Sequence, residues 1–475
     1  MTKTKKNRNL IDISTKTFIQ VVLLLAALMV VAIVLTYIVP KGEFGMLADG
    51  TPDYLSYTRR ADLAGIPLAQ GLFAPILVFF SSDGLTLVML SLFLVVISAS
   101  FQVMNDAGGI RLLIGAVSER FRNRRVLLLV LISFLFYCFG SFLGLFEEML
   151  TMFPIVASLC VLIGYDSFTG FLCSIIACGF GFASAITNPF TVLLASGIIG
   201  VNPMLKIWFR LLVFIVMFPL LLSFLFLYLR RIGKDPSASV TLRHDEALRR
   251  NALEQESQPE RSGRIRLTYT VFLLAALALI IVSSMSEALR DYSVVILIAW
   301  FLIGGILAGY IAMGNPKTVL ASFGRGLLSV LPTIVFIAMA ASIKYIFDRG
   351  AILPTIVHQI NVMAEGKSPF GIAMSIYLIV LALEFFISSS TAKAILVMGL
   401  LSVVNVGLSK SMMVLLYTFA DGYTNVLFPT SPVLLIALSM MELDYFTWIK
   451  KSWPLFLANL ILVLGFIALG ITVGY

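Results

Sequence analysis

A helix that breaks its own rules partway along is the strongest constraint on what this chain can become. The stretch Gly179 to Ser196, GFGFASAITNPFTVLLAS, begins as an apolar span and then places Ser184, Thr187, Asn188 and Pro189 in its middle. Proline lacks the backbone donor and clashes with the preceding turn, so the helix is predicted to break near Thr187 and to free polar groups that hydrocarbon cannot satisfy. Such a break must face protein or water. Near the other end, Phe419 to Pro432, FADGYTNVLFPTSP, repeats the order Phe-Ala, three residues, Thr-Asn. Two interrupted helices at matching places in two halves point to the binding site of a secondary transporter.

Composition agrees with a membrane chain. Of its 475 residues 60% are hydrophobic and 12% charged, and the mean hydropathy is +1.01, whereas a water-soluble chain carries roughly 25% charge. The first apolar run, Phe18 to Val39, follows Lys3, Lys5, Lys6 and Arg8. It is too long for a signal h-region and is expected to stay as the first helix, with residues 1–17 cytoplasmic. Cys138, Cys160, Cys173 and Cys178 lie in apolar segments without metal-ligand spacing and read as packing. The net charge of +9 sits largely in loops. It reports orientation in the cytoplasmic (inner) membrane rather than nucleic-acid binding.

The expected fold is an all-α polytopic membrane protein with inverted-topology repeats, about nine transmembrane helices and two re-entrant hairpins. The first membrane half is 18–229. After the first helix, Lys41 to Gly65 is expected outside, Ile66 to Phe80 along the interface, and Leu85 to Met104 as the returning helix. Arg111, Arg120, Arg122, Arg124 and Arg125 then obey the positive-inside rule. The apolar stretch 126–164 is interrupted by GSFLGLFEE, Gly140 to Glu148. Two readings compete: a re-entrant hairpin with its tip at Gly144 to Glu148, or two full crossings. Both leave the loop Arg230 to Arg266 cytoplasmic, so the preference for a hairpin rests on the repeat.

The first broken helix, 168–200, and a further helix to Leu229 complete that half. A cytoplasmic linker, 230–266, holds nine Lys/Arg against six Asp/Glu, with Arg243 to Glu256 a surface helix. The second half, 267–475, repeats the plan with a hairpin at 370–408, interrupted by EFFISSSTAK, and a broken helix at 412–440. Asp106-Ala107-Gly108 recurs as Asp348-Arg349-Gly350, and Trp208-Phe209-Arg210 as Trp448-Ile449-Lys450. An odd number of crossings between the copies inverts one against the other.

Ionisable groups at membrane depth come first among site candidates, because each costs about 2.5 to 3.5 kcal/mol at the bilayer centre even on the lenient insertion scale. They are Glu147, Glu148, Glu384, Lys393 and Asp421. The acid surplus favours a cationic substrate group, sodium or protons. In the bland reading Lys393 merely neutralises Glu147. Ser184, Thr187 and Asn188, with Thr424, Asn425 and Thr430, offer hydroxyl and amide donors to a carboxylate. The bland alternative is a proline kink healed by its neighbours. Carbonyls freed near Asn188 and Asn425 offer Na+ a place; apart from Na+ or H+ as coupling ion, neither cofactor nor metal is expected. Ser388, Ser389, Ser390 and Thr391 put small polar groups at the second tip, or serve close packing.

Three other features read as bystanders. Gly305 and Gly309 suit helix packing or a dimer contact. His358 reads as solvated. Gly366-Lys367-Ser368 is no phosphate loop, since Asn361 stands where its first glycine belongs and no strand precedes it.

The residues GLFEEMLTMFPI (from Gly144), GYDS (from Gly164), GFASAITNPF, FADGYTNVLFPTSP and DYFTWIK (Asp444 to Lys450) resemble the YfcC-type branch of the C4-dicarboxylate anaerobic carrier (DcuC) family, in the ion-transporter superfamily. The resemblance covers nearly the whole chain. It implies an elevator-type carrier of amino acids or dicarboxylates, a homodimer whose moving part holds both hairpins and both broken helices. It also carries the site assignment to Glu147, Glu148, Thr187, Asn188, Ser388 to Thr391, Asp421, Thr424 and Asn425. Thr391 and Lys393 stand where branch relatives tend to carry glycine and glutamine.

The function expected is secondary active transport of amino acids with a basic side chain, by uptake or exchange, with a proton- or sodium-coupled C4-dicarboxylate carrier as the alternative. The partners expected are a small-molecule substrate and membrane lipid. A membrane enzyme acting on lipid would need a metal cluster or a nucleophile with its base at the interface, and these acids and hydroxyls instead sit at depth in repeated breaks.

Overall fold

The computed structural model describes residues 15–48, 52–82, 84–121, 123–254, 262–290, 292–329, 331–364, 366–387, 390–403 and 407–475. The chain is an α-helical polytopic membrane protein. Among the described residues eight helices are long and apolar enough to cross a bilayer, from Phe18–Ile38 to Tyr445–Thr472. The number differs from the nine expected for a physical reason. The two broken helices fall short because each is interrupted, whereas Arg125–Leu143, the first leg of the expected first hairpin, is long enough to count. Leu23, Leu227 and Ile461 project from these helices with more than half their surface exposed, the outward apolar face that lipid covers.

The two halves repeat element by element. Gly109–Arg120 and Leu353–Ala364 are both 12 residues long, Met149–Leu162 and Ser390–Val403 both 14, and Ile207–Lys234 and Tyr445–Thr472 both 28. Matching lengths in matching order make the repeat structural. Helix Ser262–Met285 stands between the copies.

The polar segment after the first helix holds a small ribbon within the α-helical fold: Gly42–Met46 pairs antiparallel with Pro52–Arg59, with an irregularity after Phe44. The ribbon is held by Tyr57, whose hydroxyl bonds Thr355 Oγ1 at 2.8 Å and whose ring stacks on His358 at 4.1 Å. His358 is therefore a packed ring rather than a solvated bystander. Finally, the linker helix, Leu242–Glu254, is docked. Asp245 is 2% exposed, accepts from the Ser167 amide and from Thr241 Oγ1 at 2.7 Å, and so covers the start of the first broken helix. Beside it Asp166 caps that helix through the Thr169 amide at 2.8 Å and receives Tyr228 and Ser239.

The GxxxG glycines resolve as packing within the chain. A Cβ on Gly305 would lie 2.3 Å from Ser100 Oγ, and one on Gly309 2.3 Å from Val103.

The broken helices press on each other. A Cβ on Gly422 would sit 2.1 Å from the Ala183 Cα, and one on Gly179 2.3 Å from Val426. Ala183 and Gly422 are each within three residues of a break, so the breaks adjoin. The Phe180 and Tyr423 rings meet edge-on at 5.3 Å across the same contact.

Gly422→Ala is expected to cost about 1–3 kcal/mol through overpacking, read as a lowered melting temperature in detergent. Gly115→Ala, where nothing lies within 4 Å, is the control and leaves the melt unchanged. Docking of the linker helix depends on pH. Burial pushes the Asp245 carboxyl from its ordinary 3.8 up to about 6, and Asp166 pushes the same way. An acid raised on docking favours the docked state most below its free value and loses that advantage as pH climbs through its docked value. Hydrogen exchange across Leu242–Glu254, corrected for intrinsic rates, therefore accelerates between pH 4 and pH 6, and Asp245→Asn flattens the response.

Candidate functional site

The first break is built from backbone outward. Helix Ala177–Ala183 stops at Ser184 and resumes at Pro189, which can begin a helix because its missing donor would be unpaired there anyway. Asn188 caps the restart: its Oδ1 accepts from the amides of Phe190 at 2.9 Å and Thr191 at 3.3 Å, while its Nδ2 donates to Gly140 O at 3.2 Å. The orphaned amides of Ile186 and Thr187 donate to Ser141 O. Thr187 Oγ1 donates to Phe142 O, and Ser141 Oγ to Ser184 O. The end of the first hairpin leg thus supplies the acceptors that lipid cannot. Gly144, at φ 70°, turns the chain there, and a Cβ on it would strike Asn188 Oδ1 at 2.5 Å.

Beyond Gly144 come Glu147, exposed, and Glu148, buried. Neither makes an ion pair among the described residues. The helix Met149–Leu162 that follows packs on Pro432–Met440, the far arm of the second broken helix, and Ser390–Val403 packs reciprocally on Leu194–Ile199. Each hairpin therefore touches the opposite repeat.

At the second break the chemistry is ionic. Helix Lys410–Thr424 ends at Asn425, whose Nδ2 donates back to Asp421 O at 3.0 Å, and Ser431 caps the restart at Pro432–Met440. Thr430 is buried between them. Lys393, with no exposed surface, lies between two carboxylates: it pairs with Glu384 and stands 2.8 Å from Asp421 Oδ1. Thr424 Oγ1 donates to the same Glu384 oxygen at 3.1 Å, and Ser390 Oγ to Asp421 Oδ2 at 2.8 Å. Tyr417 donates to Ser390 O. Among the described residues Glu384 Oε1 and Asp421 Oδ1 are buried without a hydrogen-bond donor.

Lys393 thus neutralises acids of its own half, not Glu147. Ser390 and Thr391 belong to the first turn of the helix Ser390–Val403, Thr391 exposed. Ser388 and Ser389 lie outside the described residues. Ser184 Oγ donates to Phe180 O and lies 2.5 Å from the Tyr137 hydroxyl.

Sequence reasoning missed two groups. Arg210, 4% exposed, donates to Ile186 O at 3.3 Å and to Pro203 O, placing a guanidinium against a carbonyl freed by the first break. Its signal was an arginine one turn into an apolar helix. Trp448, its neighbour in the repeat pattern, does the equivalent work at the second break, its indole donating to Val426 O at 3.0 Å, with Tyr445 donating to Leu427 O at 2.9 Å.

Paired interrupted helices, crossed hairpins and buried ionisable side chains in a polytopic bundle are the architecture of a membrane transport protein. The chain belongs to the C4-dicarboxylate anaerobic carrier (DcuC) family, whose profile matches residues 18–472. It is 26% identical over 397 residues, 80% of this chain and 78% of the other, to the Escherichia coli (strain K12) protein named "Putative basic amino acid antiporter YfcC". It is 23% identical over 387 residues, 80% of this chain and 75% of the other, to an uncharacterized protein of Haemophilus influenzae. Two solved structures align over most of their length: Neisseria gonorrhoeae MtrF, covering 94% of each chain at 16% identity with a TM-score of 0.44, and the Alcanivorax borkumensis YdaH transporter, covering 96% of this chain and 99% of that one at 15% with 0.46. Neither is close enough to carry geometry across.

Asn188→Ala is expected to cost about 1–2 kcal/mol as a lost helix cap and to reduce transport much further than that stability loss explains, because the Gly140 contact goes with it. Asn188→Ser keeps an uncharged capping oxygen without the Gly140 contact, and recovers most of the stability but not the transport. Melting temperature and initial transport rate, measured on the same preparations, separate the two effects.

Proposed function

We propose that this family member is a secondary active transporter of amino acids with a cationic side chain, working by uptake or exchange across the cytoplasmic membrane with its N-terminus inside. One observation carries the reading. Lys393 is already held by Glu384 and Asp421, so it does not answer the acids at the first tip, Glu147 and Glu148, which are left facing a cation from outside the protein. An exposed carboxylate beside a buried one, next to the first break, suits an ammonium or guanidinium. Asn188 and Asn425 position the two breaks in this reading, while the exposed Thr391 hydroxyl, at the start of the helix Ser390–Val403, receives the α-carboxylate; the Thr187 and Ser390 hydroxyls already donate to Phe142 O and Asp421 Oδ2. The name of the Escherichia coli relative points the same way.

The movement we assign is an elevator: both hairpins and both broken helices travel together past scaffold helices that dimerise. The element-by-element repeat with Ser262–Met285 between the copies supports an inverted pair, since one intervening crossing reverses the second copy. On this view the segments 126–164 and 370–408 enter and leave by the same side.

Arg210 favours the second reading, a C4-dicarboxylate carrier, because a buried guanidinium suits a carboxylate ligand. Counterflow into proteoliposomes with arginine, ornithine, aspartate and succinate separates the two. Arginine and ornithine are expected to exchange, and Glu147→Gln to weaken them by about tenfold, the loss of one charge contact. Succinate exchanging where arginine does not would end the cationic assignment.

A further inference from the structure

The group Lys393, Glu384 and Asp421 has a role beyond neutrality. Its three side chains are each no more than 4% exposed. With all three ionised the group carries one negative charge in excess, and a buried uncompensated charge is unfavourable in the membrane interior. One further positive charge is needed. Among the described residues two oxygens of the group lack a hydrogen-bond donor, Glu384 Oε1 and Asp421 Oδ1; Oδ1 lies 2.8 Å from the Lys393 ammonium and Glu384 Oε2 already accepts from Lys393 and Thr424, so Oε1 is the one left to receive it. Asp421 Oδ2 accepts from Ser390, and its Oδ1 faces the Lys393 ammonium.

What can fill that position is limited by what is already there. A sodium ion wants several oxygens converging at short range, and the midpoint between the two carboxylates is taken by a tethered ammonium. The same is true at the breaks, where freed carbonyls would serve a metal ion. Ile186 O receives Arg210, Val426 O receives Trp448, and Leu427 O receives Tyr445. The protein places its own donors, two of them cations, where a metal would otherwise coordinate. A proton needs only one free oxygen.

We infer that Lys393 occupies the coupling-cation position and that Glu384 carries an exchangeable proton, making transport proton-coupled and independent of sodium. The inference rests on the transporter reading but not on which cargo is carried. The step balances simply: Glu384 carboxylate takes a proton from one side of the membrane and releases it to the other, with no bond to the cargo. The charged or titratable groups acting on Glu384 are Lys393 from the helix Ser390–Val403 and Asp421 from Lys410–Thr424; Tyr417, on that second helix, feels both acids.

Removing the ammonium reverses the preference. Lys393→Gln leaves two buried acids facing an empty position, which a sodium ion can then enter. Counterflow of labelled arginine and of succinate, run first and without gradients, tests the cargo. Net uptake of whichever exchanges is then driven by an imposed inside-alkaline gradient. For the unmodified protein the gradient is expected to stimulate uptake about tenfold, with no change when choline replaces sodium. Lys393→Gln is expected to require sodium, and sodium is expected to raise its melting temperature while leaving that of the unmodified protein unmoved. Uptake by the unmodified protein that collapses without sodium, or that ignores the proton gradient, overturns the inference. So does a folded Lys393→Gln protein whose melt and uptake are both indifferent to sodium.

Should neither compound exchange, the cargo reading fails, and the sodium response of the two melting curves still decides the coupling. Should Lys393→Gln not accumulate, Glu384→Gln takes its place: uptake, normalised to counterflow, is expected to lose its response to the proton gradient, and a retained response overturns the proposal.

Discussion

Hydrocarbon offers no partner to a backbone amide or carbonyl, and this one fact organises the molecule. A helix crossing the bilayer can stop only where something else replaces its missing hydrogen bonds. At the first break the replacement is the end of the neighbouring hairpin leg, whose Gly140, Ser141 and Phe142 carbonyls accept from Asn188, from the Ile186 and Thr187 amides, and from the Thr187 hydroxyl. Carbonyls left over are taken by the next helix, through Arg210. At the second break the next helix again turns donors back, through Trp448 and Tyr445. The breaks are not flaws tolerated by the fold. They are the reason the hairpins and the closing helices lie where they do.

The two breaks solve the same problem with different electrostatics. The first is lined by neutral groups and the Arg210 guanidinium, turned on the freed backbone, with its acids one step away at the hairpin tip. The second stands beside a lysine and two carboxylates that are almost wholly removed from solvent. A buried ion group of this kind is a poor source of stability, since well-packed apolar side chains of similar size commonly do as well or better. Its presence at one break and absence from the other is the asymmetry on which the proposed division of labour rests, between a site that meets the cargo and a site that meets the coupling ion.

Much of this was legible in the residues because proline and asparagine act through local rules. Thr187-Asn188-Pro189 announces a break and its cap with no knowledge of the rest of the chain, and the second Thr-Asn pair confirms the repeat. What could not be read was partnership. Glu384 and Lys393 flank a tip whose turn brings them together, and Asp421 comes from another helix, so only packing tells which acid the lysine answers. Arg210 figured only in the repeat pattern, and its guanidinium lies against Ile186 O. The ribbon Gly42–Met46 with Pro52–Arg59 was hidden by its polar composition. Its strands are short, and a Tyr57 to Thr355 contact across the chain holds them in place.

The linker shows how polarity can mislead about position. A segment with more charge than any other stretch of the chain was expected to be a cytoplasmic linker carrying a surface helix, yet Asp245 turns inward to meet the Ser167 amide at the start of the first broken helix. Asp166 at the same corner holds Tyr228, from the helix Ile207–Lys234, and Ser239, from the linker. Three parts of the chain thus converge on the terminus of one interrupted helix: the helix itself, the span that follows it and the connection between the halves. If the broken helices are the travelling part, this corner must travel with them or let go. Hydrogen bonds to an aspartate at a helix start favour the first outcome, because the cap and the linker contact both hold the same turn, and releasing either would leave a buried carboxylate without its donors. The linker helix is then best understood as part of the moving body.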